Sequence, residues 1–137
     1  MKPDRLRTIP LFEGLSDDDY TKLGRWTDEF VITAGKQLVT QGSYPHEFMV
    51  IDHGTAEVTH SDQHLAELGP GDFFGEMALL SNHPRMASIV AKTDITLVVL
   101  HERNFRAMRE SLPTVAHRID DVMAERQRIA QELGIET

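Results

Sequence analysis

Between Glu29 and His101 the apolar residues fall in short runs, broken at even intervals by turn residues. The runs are "EFVIT", "KQLVT", "EFMVID", "TAEVTH", "HLAEL", "MASIVA" and "TLVVLH"; the breaks include Ala34-Gly35, Gly42-Ser43, His53-Gly54, Ser61-Asp62 and Gly69-Pro70-Gly71-Asp72. Strand-length runs punctuated in this way predict a β-sandwich or barrel over about residues 29–101. Ahead of it, "LSDDDYTKLGRW" predicts a short amphipathic helix over about residues 16–27. Ser16 suits the N-cap, Asp17, Asp18 and Asp19 complement the helix dipole, and Leu15, Tyr20, Leu23 and Trp26 form the buried side. After His101 the pattern turns helical, with one helix over about 102–111 and a second over about 113–133, Pro113 fitting a first turn. In the second, Val115, Ile119, Val122, Ile129 and Leu133 follow a 4-3 spacing interrupted by Arg126. That spacing fits a seam against another helix and fits packing on the chain's own sandwich equally well.

The strand rhythm stops in one place, at residues 75–84 within "FFGEMALLSNHPRMAS". Gly75, the compact "EMALL" turn and Pro84 predict a loop carrying a single helical turn. A glycine before a helical turn lets a ligand approach the backbone, where first-turn N–H groups suit a phosphate. Arg85 would then supply full positive charge and paired hydrogen bonds. Glu76 would repel a phosphate but suits a hydroxyl of the same ligand, such as a ribose 2′-hydroxyl. The residues alone also fit a plainer arrangement, in which Glu76 caps the helix and Arg85 is solvated or pairs with Glu76.

Composition narrows the function. The 137 residues fit one domain with a full core, and 14 Lys+Arg against 22 Asp+Glu give a net charge of −8. With no basic stripe to offset that field, direct nucleic-acid binding is not expected. There is no cysteine, hence no disulfide, thiolate nucleophile or zinc–thiolate site, which suits a reducing cytoplasm. The N-terminus lacks the apolar core of a signal peptide, and no apolar run approaches membrane-spanning length. Of seven histidines, His60 and His64 flank a hairpin loop and are placed to face each other, while His46-Glu47 and His53 read as polar turn residues. A cupin-like metalloprotein would want a His-x-His pair, which the chain lacks, so no metal site is assigned.

"FFGEMALLSNHPRMASIVAKT" resembles the phosphate-binding cassette of cyclic nucleotide-binding domains, whose pattern runs F-G-E-x-A-L, a variable stretch, then R-x-A-[ST]. "LFEGLSDDD", "TQGSYPHEFMVIDHGTAEV" and "LGPGDFFGE" look like the family's entry helix, its second-to-fourth strand region and its turn into the cassette, so the resemblance covers about residues 10 to 130. It implies an α+β fold, a double-stranded β-helix or jelly-roll sandwich of about eight strands, with a short N-terminal helix, a cassette helix and two C-terminal helices. It implies that Arg85 grips a cyclic phosphate, that backbone amides around Gly75, Met77, Ala78, Met86 and Ala87 complete the nest, and that Glu76 holds the ribose.

Met86 stands where members favouring cyclic GMP often carry a threonine, so the resemblance favours cyclic AMP. Ser88 keeps the family's later hydroxyl beside the site. Aligned without a gap to the bacterial catabolite-activator type, Ala130 and Gln131 fall where two hydroxyl residues touch adenine, and Arg126 lies one turn earlier. Arg126, Ala130, Gln131 and Ser88 are thus the purine-contact candidates, although Ala130 cannot replace a hydroxyl and charged or amide helix positions are usually solvated. The expected function is a non-enzymatic cytoplasmic sensor, without cofactor, in which ligand repositions the C-terminal helices. The family's transcription factors continue into a helix-turn-helix, its kinase subunits carry paired domains and its channels carry membrane spans. None lies in these 137 residues, so the expected output is a partner, either a second copy meeting the C-terminal helix or an effector protein. A degenerate, non-binding β-roll serving as an interaction module and a cupin-like metalloprotein are the alternatives.

Overall fold

Two strands carry unbroken apolar runs, at residues 48–51 and 97–100, because both of their faces are covered there. In the computed structural model, which describes residues 1–44, 46–81 and 84–134, the chain begins with α1 (Pro3–Leu6), a 3₁₀ turn (Pro10–Phe12) and α2 (Asp17–Trp26). Strands β1 (Asp28–Ile32), β2 (Gln37–Val39), β3 (Glu47–His53), β4 (Ala56–His60), β5 (Gln63–Leu68) and β6 (Phe73–Phe74) follow. Then come α3 (Glu76–Ser81), β7 (Ser88–Ala91), β8 (Ile95–His101), α4 (Glu102–Ser111) and α5 (Pro113–Glu132). The strands form two antiparallel four-stranded sheets, ordered β1-β8-β3-β6 and β2-β7-β4-β5.

Side chains alternate across β3 and β8. Phe48, Val50, Val98 and Leu100 enter a core beneath the helices, with Leu23, Phe105 and Val115. Met49, Ile51, Leu97 and Val99 enter a second core between the sheets. The period of two thus survives inside what reads as a continuous apolar run. By contrast β1 is an edge strand with Phe30 and Val31 exposed.

The N-terminal helix forms as its sequence dictates. Ser16 Oγ accepts a hydrogen bond from the Asp19 amide at 3.1 Å, and Tyr20 and Leu23 are buried with Leu15 and Trp26 packed against them. The pattern did not reveal α1, the 3₁₀ turn or the two-residue β6, all too short to show a period. The 4-3 spacing of the last helix divides in two. Val115 and Ile119 are fully buried and Val122 packs beside them, whereas Ile129 and Leu133 are 42% and 59% exposed. The first half of α5 therefore packs on the chain's own core. Arg118 reinforces it by donating from Nη1 to the Leu11 and Glu13 carbonyls at 2.9 and 2.8 Å.

The histidine expectations need correction. His60 pairs across the hairpin with Gln63, and His64 with Thr59. The two imidazoles do not face each other, because His60 turns to the Met86 carbonyl and His64 to Glu57. Glu47 and His53 are the first and last residues of β3 rather than turn residues. Among the described residues no group of three His, Cys, Asp or Glu side chains could hold a metal ion, and no helix is long and apolar enough to cross a membrane.

Phe48 is fully buried, with ring centroids 4.7 Å from Phe105 and 5.4 Å from Phe73. Phe48→Ala is expected to lower unfolding free energy by about 3–5 kcal/mol, read as a fall in urea midpoint at unchanged slope.

Candidate functional site

The break at residues 75–84 is built on a backbone position that requires glycine. Gly75 has φ +104°, and a Cβ there would lie 2.7 Å from the Glu47 carbonyl oxygen and 2.8 Å from Arg85 Nη1. Only a residue without a side chain lets β6 turn into α3 so close to both. The first-turn amides of α3, including those of Met77 and Ala78, have no carbonyl within the helix to receive them.

Arg85 reaches the same point from the other arm of the loop. Its amide donates to the Ser43 carbonyl at 2.7 Å and its carbonyl accepts from the Gly42 amide at 2.8 Å, zipping it to the turn between β2 and β3. Its guanidinium is buried (7% exposed) and donates from Nη2 to the Glu47 carbonyl at 2.8 Å. Among the described residues no carboxylate comes within 4.0 Å of it. Burial accordingly pushes the guanidinium below its ordinary pKa, against the weaker opposing fields of Glu47 and Glu76.

Glu76 opens α3 and is 1% exposed. One carboxylate oxygen, Oε1, is ion-paired with Arg126 Nη1 from α5. Oε2 is buried, with no hydrogen-bond partner among the described residues. Arg126 also donates to the Phe73 carbonyl and lies over the Phe73 ring, 5.1 Å from its centroid. A buried anion with one oxygen paired and one vacant, beside a buried cation with no anion, makes a dipolar cradle that a ligand carrying both a hydroxyl and an anionic oxygen would satisfy.

The cradle opens into a cavity of about 330 Å³, large enough for one small ligand. Gly75, Glu76, Met77, Ala78 and Arg85 line it, with Met86 and Ala87 beyond. Its remaining wall is apolar and includes Val58, Leu65, Leu68 and Phe74, with Ile129 and Ala130 of α5. The phosphate and ribose residues expected from the sequence are therefore brought together. The purine candidates divide. Ala130 is buried in the lining, whereas Gln131 is exposed and outside it, since neighbouring positions on a helix face different ways. Ser88 is also outside the lining, its Oγ accepting from the Gln41 amide at 2.9 Å. Arg126 lines the cavity but is held by Glu76 and Phe73. His60, whose Nδ1 lies 2.8 Å from the Met86 carbonyl, is a polar residue of the cavity that sequence reasoning places only beside a hairpin loop.

Fold and cradle together define a small-ligand sensor domain, and the chain belongs to the cyclic nucleotide-binding domain family, whose model matches residues 29–111. It is 32% identical over 138 residues to a cGMP-dependent protein kinase of Drosophila melanogaster, an alignment covering 94% of this chain and 15% of the kinase. It is 33% identical over 130 residues to the Cyclic AMP receptor protein of Thermus thermophilus, covering 91% of this chain and 60% of that protein. The crystal structure of the Thermus thermophilus catabolite activator protein matches with a TM-score of 0.77 at 34% identity, covering 91% of this chain and 62% of that one. The chain thus spans less than two thirds of these relatives. As a member of the family it is a regulatory cyclic nucleotide-binding domain.

Removing Arg126 strands the buried Glu76 carboxylate. Arg126→Met is expected to destabilise the ligand-free chain by about 3 kcal/mol, and Glu76→Gln combined with it to recover much of that loss, in a double-mutant cycle by chemical denaturation.

Proposed function

We propose that this chain binds cyclic AMP reversibly and signals occupancy through α5. The observation that carries the reading is the buried pair of unmet needs, Arg85 without an anion and Glu76 Oε2 without a donor, on one cavity wall. A cyclic phosphate supplies the first and a ribose 2′-hydroxyl the second. Guanidinium and phosphate meet through parallel hydrogen bonds, and the apolar remainder of the cavity accepts the purine faces. The cyclic AMP preference is supported by Met86, which offers no hydroxyl to a guanine amine. The relatives carry names with either nucleotide and do not make that choice.

The route outward runs through Glu76. A hydroxyl on Oε2 withdraws charge from the carboxylate that holds Arg126, and so alters the grip of α3 on α5. The first half of α5 is fixed in the core while the second half carries exposed Ile129 and Leu133, so ligand repositions the second half against a second copy of the chain or an effector. The lack of cysteine suits a reducing compartment, and we place the sensor in the cytoplasm.

Calorimetric titration tests this. Cyclic AMP should bind more tightly than cyclic GMP, and 2′-deoxy cyclic AMP more weakly by roughly tenfold, the worth of a hydrogen bond to a charged acceptor. Arg85→Met should cost about 2–5 kcal/mol of binding yet leave the ligand-free melting temperature unchanged or higher, because it removes a buried charge that has no ion-pair partner. Absence of cyclic AMP binding by the wild type at high micromolar concentration would reject the reading and leave the interaction-module alternative.

A further inference from the structure

Four polar side chains line the cavity among the described residues: His60, Glu76, Arg85 and Arg126. Phosphate and ribose account for Arg85 and Glu76, and Arg126 is held by Glu76. His60 alone is left without a ligand group.

Its hydrogen bonding fixes which tautomer it is. A carbonyl oxygen can only accept, so the 2.8 Å contact with the Met86 carbonyl requires the proton on Nδ1. In the neutral ring Nε2 then carries a lone pair and is an acceptor. The ring is also held from behind. Directly after His60 the chain makes a tight turn through Ser61 and Asp62, with φ +49° and +64°. Neither is glycine, and the turn is pinned by the Ser61 amide donating to Gln41 Oε1 at 2.8 Å. The Gln41 amide in turn donates to Ser88 Oγ at 2.9 Å. A half-buried acceptor whose other ring nitrogen is already engaged, set among the apolar residues away from the cradle, is a device for discrimination, because a base edge that cannot satisfy it leaves a partly desolvated polar atom unpaired.

We propose that His60 selects the purine, accepting at Nε2 a hydrogen bond from the 6-amine of adenine. The role rests on the cyclic nucleotide reading above. In cyclic AMP the 6-amine is the base's sole N–H donor, whereas guanine presents a carbonyl at the same position, lone pair against lone pair. Since the Nδ1 bond ends on the residue after Arg85, the same loop that would grip the phosphate also sets the position of the base reader.

The test is a calorimetric cycle of wild type, His60→Leu and His60→Gln with two ligands, cyclic AMP and purine riboside 3′,5′-cyclic monophosphate, which lacks every base N–H. Wild type should prefer cyclic AMP by roughly three- to tenfold. His60→Leu should bind both within about twofold of each other, and His60→Gln, which retains an acceptor, should recover part of the preference. Equal affinity of wild type for both ligands, or equal weakening of both by His60→Leu, would overturn the role of His60 while leaving the nucleotide reading intact. If wild type binds neither ligand, the nucleotide reading fails and this role fails with it. Should His60→Leu not fold, the His60→Gln comparison decides alone: an undiminished loss of both ligands together marks a structural role.

Discussion

The carbonyl oxygen of Glu47 is the point on which the site is assembled. It accepts Arg85 Nη2 at 2.8 Å, and it is the atom that a side chain at position 75 would strike. Its own place is set by the register of β3, where Glu47 pairs with His101, Phe48 with Leu100 and Met49 with both Val99 and Phe74. That register is locked because both faces of β3 are buried, so a one-residue slip would exchange the contents of two cores. The recognition loop therefore inherits its precision from a strand buried on both faces, without regular structure of its own beyond one short helix.

Burying Arg85 and Glu76 works against folding. Each charge loses hydration; Arg85 receives only a carbonyl in return, and Glu76 keeps one oxygen without a partner. Such a site is tolerated because the two hydrophobic cores carry the stability, and on the proposed reading a ligand completes the missing interactions. Binding then adds to folding stability by mass action, about 2.7 kcal/mol at a hundredfold excess over Kd. A sensor needs this arrangement, since a cradle already satisfied by the protein would gain little from its ligand.

Helix α5 serves both the core beneath the helices and the cradle. Its first half is held by Val115 and Ile119, by Arg118 on the 3₁₀ turn and by a 3.0 Å ion pair between Arg109 and Asp120. Its second half touches the cavity through Arg126, Ile129, Ala130 and Leu133. The two halves differ in what holds them. Apolar burial secures the first, while the second is tied through Arg126 to the Glu76 carboxylate, the group proposed to meet the ligand.

Much of this was legible along the chain. The strand rhythm, the Ser16 cap, the onset of the last helices and the chemistry expected of Gly75, Glu76 and Arg85 all follow from residue types at local spacing, which the backbone period translates directly into geometry. The seam of α5 was ambiguous because a 4-3 spacing records that a face is apolar and says nothing of what covers it. The partner of Arg126 lies fifty residues away, and the placement of His60 depends on a carbonyl twenty-six residues on. Contacts of that separation leave no periodic trace. Sequence determined which side chains had the chemistry to bind; only the packing of two sheets and a returning helix decided which of them share one cavity, and which of their atoms remain for a ligand.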